Sequence, residues 1–120
     1  MTQTAEDVYE CVRRYLVAWK EGDWEKLHQT LAENIRFQEP AMGTVEGVDA
    51  HIELYREHRR FPNLDEMVLL KLLSDVDGAI ASYDVYLSGR RHTVFDQFSV
   101  EAGRITLVIS VKGEWSSPTR

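Results

Sequence analysis

The sequence is poorest in the residues that staple a chain, break it or load it with positive charge. A single cysteine, Cys11, stands among 120 residues, which excludes an internal disulfide and fits a reducing compartment. Lysine and arginine number 14 against 20 aspartates and glutamates, for a formal net charge of -6. No nucleic-acid partner is expected, because phosphate binding needs a concentrated basic surface. The one short basic cluster, Arg59-Arg60 with Arg56 nearby, reads as a helix end, where cations favour the macrodipole. No apolar run approaches the roughly 20 residues of a membrane span, and the N-terminus lacks a basic-then-apolar leader pattern. The expectation is a cytoplasmic protein without membrane contact. Only 3 prolines and 7 glycines occur, with no repeat, linker tract or low-complexity stretch, so a single domain over 1–120 is expected. That length buries a core without disulfide or metal staples. Glycine-rich phosphate loops and nucleophile elbows are absent. His28, His51, His58 and His92 make no i,i+4 ligand pair, so they read as solvated or core residues and no metal is expected.

What is present falls into two halves with different periods. In the first, Thr4 can cap a helix with Asp7 as its capping-box partner. Val8, Val12, Tyr15 and Trp19 then follow 4-3-4 spacing, one apolar stripe. Gly22 ends that helix and Asp23 caps a second, with Trp24, Leu27, His28 and Leu31 on its buried side. Asn34 breaks it, and Ile35–Glu39 alternates as a short strand closed by Pro40. A third helix runs to about Arg60 with Val48, Ile52 and Tyr55 on one stripe, stopped by Phe61-Pro62-Asn63. In the second half, Met67–Leu73, Ala79–Leu87, His92–Val100 and Arg104–Val111 read as strands. Asp77-Gly78, Ser88-Gly89 and Ala102-Gly103 punctuate them as hairpin turns. The order ααβαββββ predicts an α+β fold: three helices on a curved, mostly antiparallel sheet that forms a cone-shaped, apolar pocket.

Several polar residues fall on apolar faces. Period-2 alternation puts Glu39 with Phe37 and Ile35, and Asp96 with Val94, Phe98 and Val100. An ionised, unpaired carboxylate is expensive there. Tyr15 and Tyr55 lie on the apolar stripes of helices one and three. Two carboxylates and two phenols thus form a candidate polar cluster in a greasy cavity, walled by Phe37, Val94, Phe98 and Trp19. The plainer alternatives are a solvated Glu39 at the rim, tyrosines satisfied by backbone, and Asp96 paired with Arg36 or Arg91. On the outer sheet face, Phe95 and Val108 among Thr93, Gln97, Thr106 and Ser110 would seed a homodimer contact.

At these residues the chain resembles a known family. Arg14-Tyr15, Glu21-Gly22-Asp23 and Phe37-Gln38-Glu39-Pro40 look like the N-terminal half of bacterial ketosteroid isomerases, members of the SnoaL-like and nuclear-transport-factor-like superfamily. Gly47 through Ile52 to Tyr55, then Phe95-Asp96-Gln97-Phe98 and Gly103-Arg104-Ile105, continue the likeness. The resemblance implies roles: Glu39 as general base, Tyr15 as the oxyanion-hole phenol, Asp96 as its protonated carboxylic acid, and Tyr55 as hydrogen-bond partner of Tyr15. It implies a cofactor-independent isomerase moving a proton alpha to a carbonyl in a hydrophobic, steroid-like or polyketide-like ketone, working as a homodimer. A non-catalytic small-molecule-binding domain of the same fold is the rival. A SnoaL-like cyclase or a cofactor-free epoxide hydrolase is a third reading. The hydrolase needs an inward Asp-Arg-Asp set, and alternation turns Arg36 away from Glu39.

Overall fold

The computed structural model describes residues 2–40, 43–60, 64–87 and 89–114. Helix α1 (Ala5–Glu21) starts where the sequence places it: the Thr4 hydroxyl accepts from the Asp7 amide, the Asp7 carboxylate accepts from the Thr4 amide, and Gly22 closes the helix at φ 70. This reciprocal capping satisfies backbone donors that the first helical turn leaves unpaired. Helix α2 (Trp24–Thr30) is capped by Asp23, which accepts from the Lys26 amide. It is one turn shorter than the apolar spacing implies. Leu31 has already left the helix at φ -104 and ψ 140 and opens strand β1 (Leu31–Glu39). Leu27 is buried on α2, Trp24 is half-buried and His28 is exposed. A strand absent from the sequence reading, β2 (Gly43–Glu46), returns against β1 and leads into α3 (Val48–Arg60). Strands β3 (Leu64–Ser74), β4 (Gly78–Leu87), β5 (Arg90–Glu101) and β6 (Arg104–Glu114) complete the chain. The Phe61-Pro62-Asn63 stop and Ser88 lie outside the described residues.

One six-stranded sheet results, in the order β2-β1-β6-β5-β4-β3, antiparallel except where β1 runs parallel to β6. The fold class expected from the pattern is the one observed. Helices α1 and α3 lay their apolar stripes on the concave face of this sheet. Val8, Val12, Tyr15 and Leu16 are buried from α1, and Val48, Ile52 and Tyr55 from α3.

Two local corrections matter for the face each strand shows. Asp77-Gly78 is not itself the β3–β4 turn. The loop is closed by Asp75, whose Oδ1 accepts from the amides of Asp77 and Gly78 at 2.8 and 2.9 Å. Gly78 is the first residue of β4, and a Cβ there would stand 2.2 Å from the Phe98 carbonyl oxygen. That glycine answers a close backbone approach. The second correction concerns β6. Ser99 pairs with Leu107 but Val100 pairs with Ile105, so Thr106 is an extra residue, a β-bulge. One extra residue inverts the alternation beyond it. Val108 and Ser110 therefore face the interior, opposite Phe98 and Asp96, and Val108 is fully buried. They do not join Phe95 on the outer face, where the exposed apolar residues include Val68, Leu73, Ile80 and Val111. Among the described residues, no helix is long and apolar enough to cross a membrane.

Candidate functional site

The site is a meeting of helix stripes and strand alternation. α1 carries Tyr15 inward and α3 carries Tyr55, and their hydroxyls hydrogen-bond directly. Tyr15 is 2% exposed and sits edge-on to Phe98 at 5.3 Å. Tyr55 is the hub of an aromatic group, edge-on to Trp19 at 6.0 Å, Phe37 at 5.9 Å and His51 at 4.3 Å between ring centres. Such edge-to-face pairs fix ring orientation as well as burying area.

Asp96 enters from β5 with 3% of its surface exposed. Its Oδ2 accepts a hydrogen bond from Tyr83 at 2.6 Å, and its Oδ1 has no hydrogen-bond partner among the described residues. Burial pushes the carboxyl from its ordinary 3.8 to about 6, against the downward pull of the Ser110 and Tyr83 hydroxyls. The cause is desolvation of the charged form. The same burial, with Asp96 close by, holds the phenols of Tyr15, Tyr55 and Tyr83 well above the ordinary 10. All three remain neutral hydroxyl donors across the physiological range. The salt-bridge alternatives for Asp96 go elsewhere: Arg36 reaches Glu46 at 4.0 Å and Arg91 reaches Asp84 at 3.3 Å.

Glu39 ends β1, half-buried and opposite Gly43 of β2. The parallel register that pairs Phe37 with Val108 and Gln38 with Ile109 sets Glu39, one step on, level with Ser110. Ser110 is itself directly opposite Asp96. The two carboxylates thus lie on one face, two strands apart, roughly 10 Å between backbones at the usual strand spacing. Val94 is buried on that face opposite Tyr83.

The structure brings together Tyr15, Tyr55, Phe37, Phe98 and the half-buried Trp19 in one contiguous cluster, with Asp96 near enough to act electrostatically on the Tyr15 and Tyr55 phenols. It also supplies three residues that the sequence reading did not pick out. Tyr83 was visible in principle, since Ala79, Ala81, Tyr83, Val85 and Leu87 alternate inward on β4. His51, 0% exposed, lies three residues after Val48 and four before Tyr55, on the same helical face. Burial takes its imidazole from 6.5 down to about 4, so it is neutral at physiological pH. Ser110 was hidden by the bulge at Thr106. Among the described residues, no group of three His, Cys, Asp or Glu is placed to hold a metal. Cys11 is buried and donates weakly to the Gly103 carbonyl at 3.4 Å, and burial raises its thiol. It packs and is not poised to react.

A three-helix layer over a curved, mostly antiparallel six-stranded sheet is the nuclear-transport-factor-like architecture of α+β domains. The sequence pattern of the SnoaL-like domain matches residues 12–108, and the chain belongs to that family. It is similar in structure to a candidate ketosteroid isomerase from Kribbella flavida DSM 17836, with a TM-score of 0.85 and 21% identity, over 97% of this chain and 84% of that one. An "LEH-like epoxide hydrolase" of M. tuberculosis matches with a TM-score of 0.74 and 17% identity, over 90% and 84% of the two chains. A de novo designed protein with a curved β-sheet matches with a TM-score of 0.77 and 20% identity, over 88% and 84%. At such identities the likeness establishes architecture, and activity has to be argued from the site. No curated protein matches the chain in sequence.

Proposed function

We propose that the concave face is an apolar ligand pocket, and that the protein moves a proton alpha to the carbonyl of a hydrophobic ketone without a cofactor. The observation that carries this reading is Asp96: a carboxyl 3% exposed, with one oxygen unpartnered, raised to about 6 among three phenols. Glu39, as carboxylate, takes the proton from carbon and returns it one or more carbons away. Negative charge builds meanwhile on the ketone oxygen. With Tyr55 donating to Tyr15, the Tyr15 proton is left to donate to that oxygen, and Asp96 in its acid form donates from the other side. Two preorganised donors in a dry site stabilise an enolate far better than water does. A bound apolar ligand removes the remaining solvent from Asp96 and raises its pKa further, in the direction the donor role requires. The epoxide-hydrolase reading loses support at Arg36, which is exposed and paired with Glu46 on the far side of β1. The binding-domain reading differs from ours only at Glu39.

The test is an enone-absorbance assay with a β,γ-unsaturated ketosteroid. Glu39→Gln lowers turnover by about a hundredfold or more, the usual share of a general base, while ligand affinity changes little. In the wild type, kcat/KM declines as pH rises through about 6, because the empty site then loses its Asp96 proton. Equal turnover in Glu39→Gln removes the base. Binding without turnover across varied ketones leaves a ligand-binding domain.

A further inference from the structure

His51 is the buried polar group that the proton-transfer scheme leaves without work. Its ring is 0% exposed, wedged edge-on between Phe37 at 5.1 Å and Tyr55 at 4.3 Å, and both Nδ1 and Nε2 lack a hydrogen-bond partner among the described residues. An apolar wall would be served by leucine or phenylalanine at no such cost, since an unmatched buried donor and acceptor each forfeit hydration. Asp96 Oδ1 also lacks a hydrogen-bond partner among the described residues, and its carboxyl acts electrostatically on the Tyr55 phenol, whereas His51 packs against the ring of that residue. Two unmatched polar positions of different chemistry result: a carboxyl oxygen of a residue bonded to a phenol, and a neutral imidazole packed on the Tyr55 ring.

We propose that His51 is a binding residue for a second oxygen of the ligand, a hydroxyl, so that the substrate class is a hydrophobic ketone or phenol carrying a remote hydroxyl. This rests on the reading of the concave face as a ligand pocket. A neutral imidazole offers one N–H donor and one bare nitrogen acceptor. A hydroxyl both donates and accepts, and so answers either nitrogen whichever tautomer is present. A carbonyl answers only the N–H, and a carboxylate would bring a second charge onto a face that already holds Asp96 and Glu39. His51 acts here in recognition and takes no part in proton transfer.

The experiment uses flat bicyclic phenols as probes. Affinities of 2-naphthol and of the 1,6-, 2,6- and 2,7-dihydroxynaphthalenes are measured by calorimetry on the wild type and on His51→Phe. At least one diol binds the wild type about tenfold more tightly than 2-naphthol, the equivalent of one hydrogen bond of about 1.4 kcal/mol. His51→Phe removes that advantage and leaves 2-naphthol within about threefold. Independently of any variant, nitrogen NMR of the wild-type His51 ring shifts on adding that diol and stays put on adding 2-naphthol. Absence of any diol advantage, an advantage that survives in His51→Phe, or an unmoved His51 signal overturns the proposal. Failure of the enone assay alone removes the isomerase reading and leaves the diol preference standing, so the two are separable.

Discussion

Near the β5–β6 turn, Val8, Val12, Leu27, Leu31, Ile35, Val100 and Ile105 meet with almost none of their surface exposed, and the one buried thiol at this corner, Cys11, is matched by the Gly103 carbonyl. Two same-face steps along β5 from Val100, just past Phe98, the sheet holds Asp96 bonded to Tyr83, and the buried His51 of α3 has no hydrogen-bond partner among the described residues. Both regions are equally buried, yet one is satisfied and the other is not. The apolar end is built as a core that any stable domain needs. At the other end, side chains are held where folding alone would not place them, the usual mark of a site kept for chemistry or binding at some cost in stability. Substitutions at the two ends should therefore change stability in opposite directions.

The largest effect belongs to the apolar end. Leu27→Ala removes a side chain with 0% exposure from the contact of α2 with β6 and α1. It should cost about 2–5 kcal/mol in urea denaturation, the range for buried leucines that leave a cavity. A loss under about 1 kcal/mol would mean that this end is loosely packed and would undo the contrast.

The polar end should respond the other way, and only over part of the pH range. Asp96 binds its proton more tightly folded, at about 6, than at its ordinary 3.8. Its contribution is therefore fully present below about 3.8 and is lost as pH rises through about 6, a difference of up to about 3 kcal/mol. Asn does not titrate, so Asp96→Asn should match the wild type most closely near pH 4 and exceed it in stability at pH 8. His51 has the reverse sign, with its folded value of about 4 below the ordinary 6.5. Its neutral form is accommodated above 6.5, and stability is lost as pH falls towards 4. His51→Phe should flatten that acid slope. Denaturation curves of both variants from pH 4 to 8 check the pair, and a pH-independent offset for Asp96→Asn would show the carboxyl to be solvated.

The same contrast explains what could be read from the residues alone. The helical stripes, the Thr4–Asp7 box and the inward turn of Asp96 were legible because each depends on neighbours within a few positions. Helical spacing misplaces Leu31, because an apolar residue at that spacing serves equally well as the first residue of a strand. Simple alternation puts Ser110 and Val108 on the outer face, and the structure turns them inward because a bulge is a relation between two strands that nothing local to Thr106 announces. Tyr83 and His51 are silent in the sequence for another reason: a tyrosine or histidine on an apolar stripe is ordinary until its neighbours are known. Only three-dimensional contact reveals that Tyr83 bonds to Asp96 and that neither nitrogen of His51 has a hydrogen-bond partner among the described residues.

The smallest expected effect returns to the apolar end and asks whether it can be improved without touching the site. The β5–β6 turn places Ala102 at φ 50 and Gly103 at φ 75, the two positive central residues of a tight hairpin. Glycine tolerates that region, whereas alanine's Cβ crowds the carbonyl oxygen that follows. The fold holds Ala102 there because the turn is anchored on both sides: the Gly103 amide donates to Gln3, and its carbonyl accepts from Cys11. Gln3 also donates to the Val76 and Val100 carbonyls at 2.7 Å each, tying the β3–β4 loop to the same corner. Ala102→Asn fits the left-handed conformation better without the added unfolded-state entropy that glycine brings. It should stabilise the protein by about 0.5–1 kcal/mol, a rise of about 2–4 °C in Tm. Turnover and naphthol binding should stay at wild-type values, because the turn lies beyond Val100 and Ile105, away from Asp96. A gain in Tm accompanied by weaker ligand binding would mean that the two ends are mechanically coupled, and that the unsatisfied end depends on strain stored at this turn.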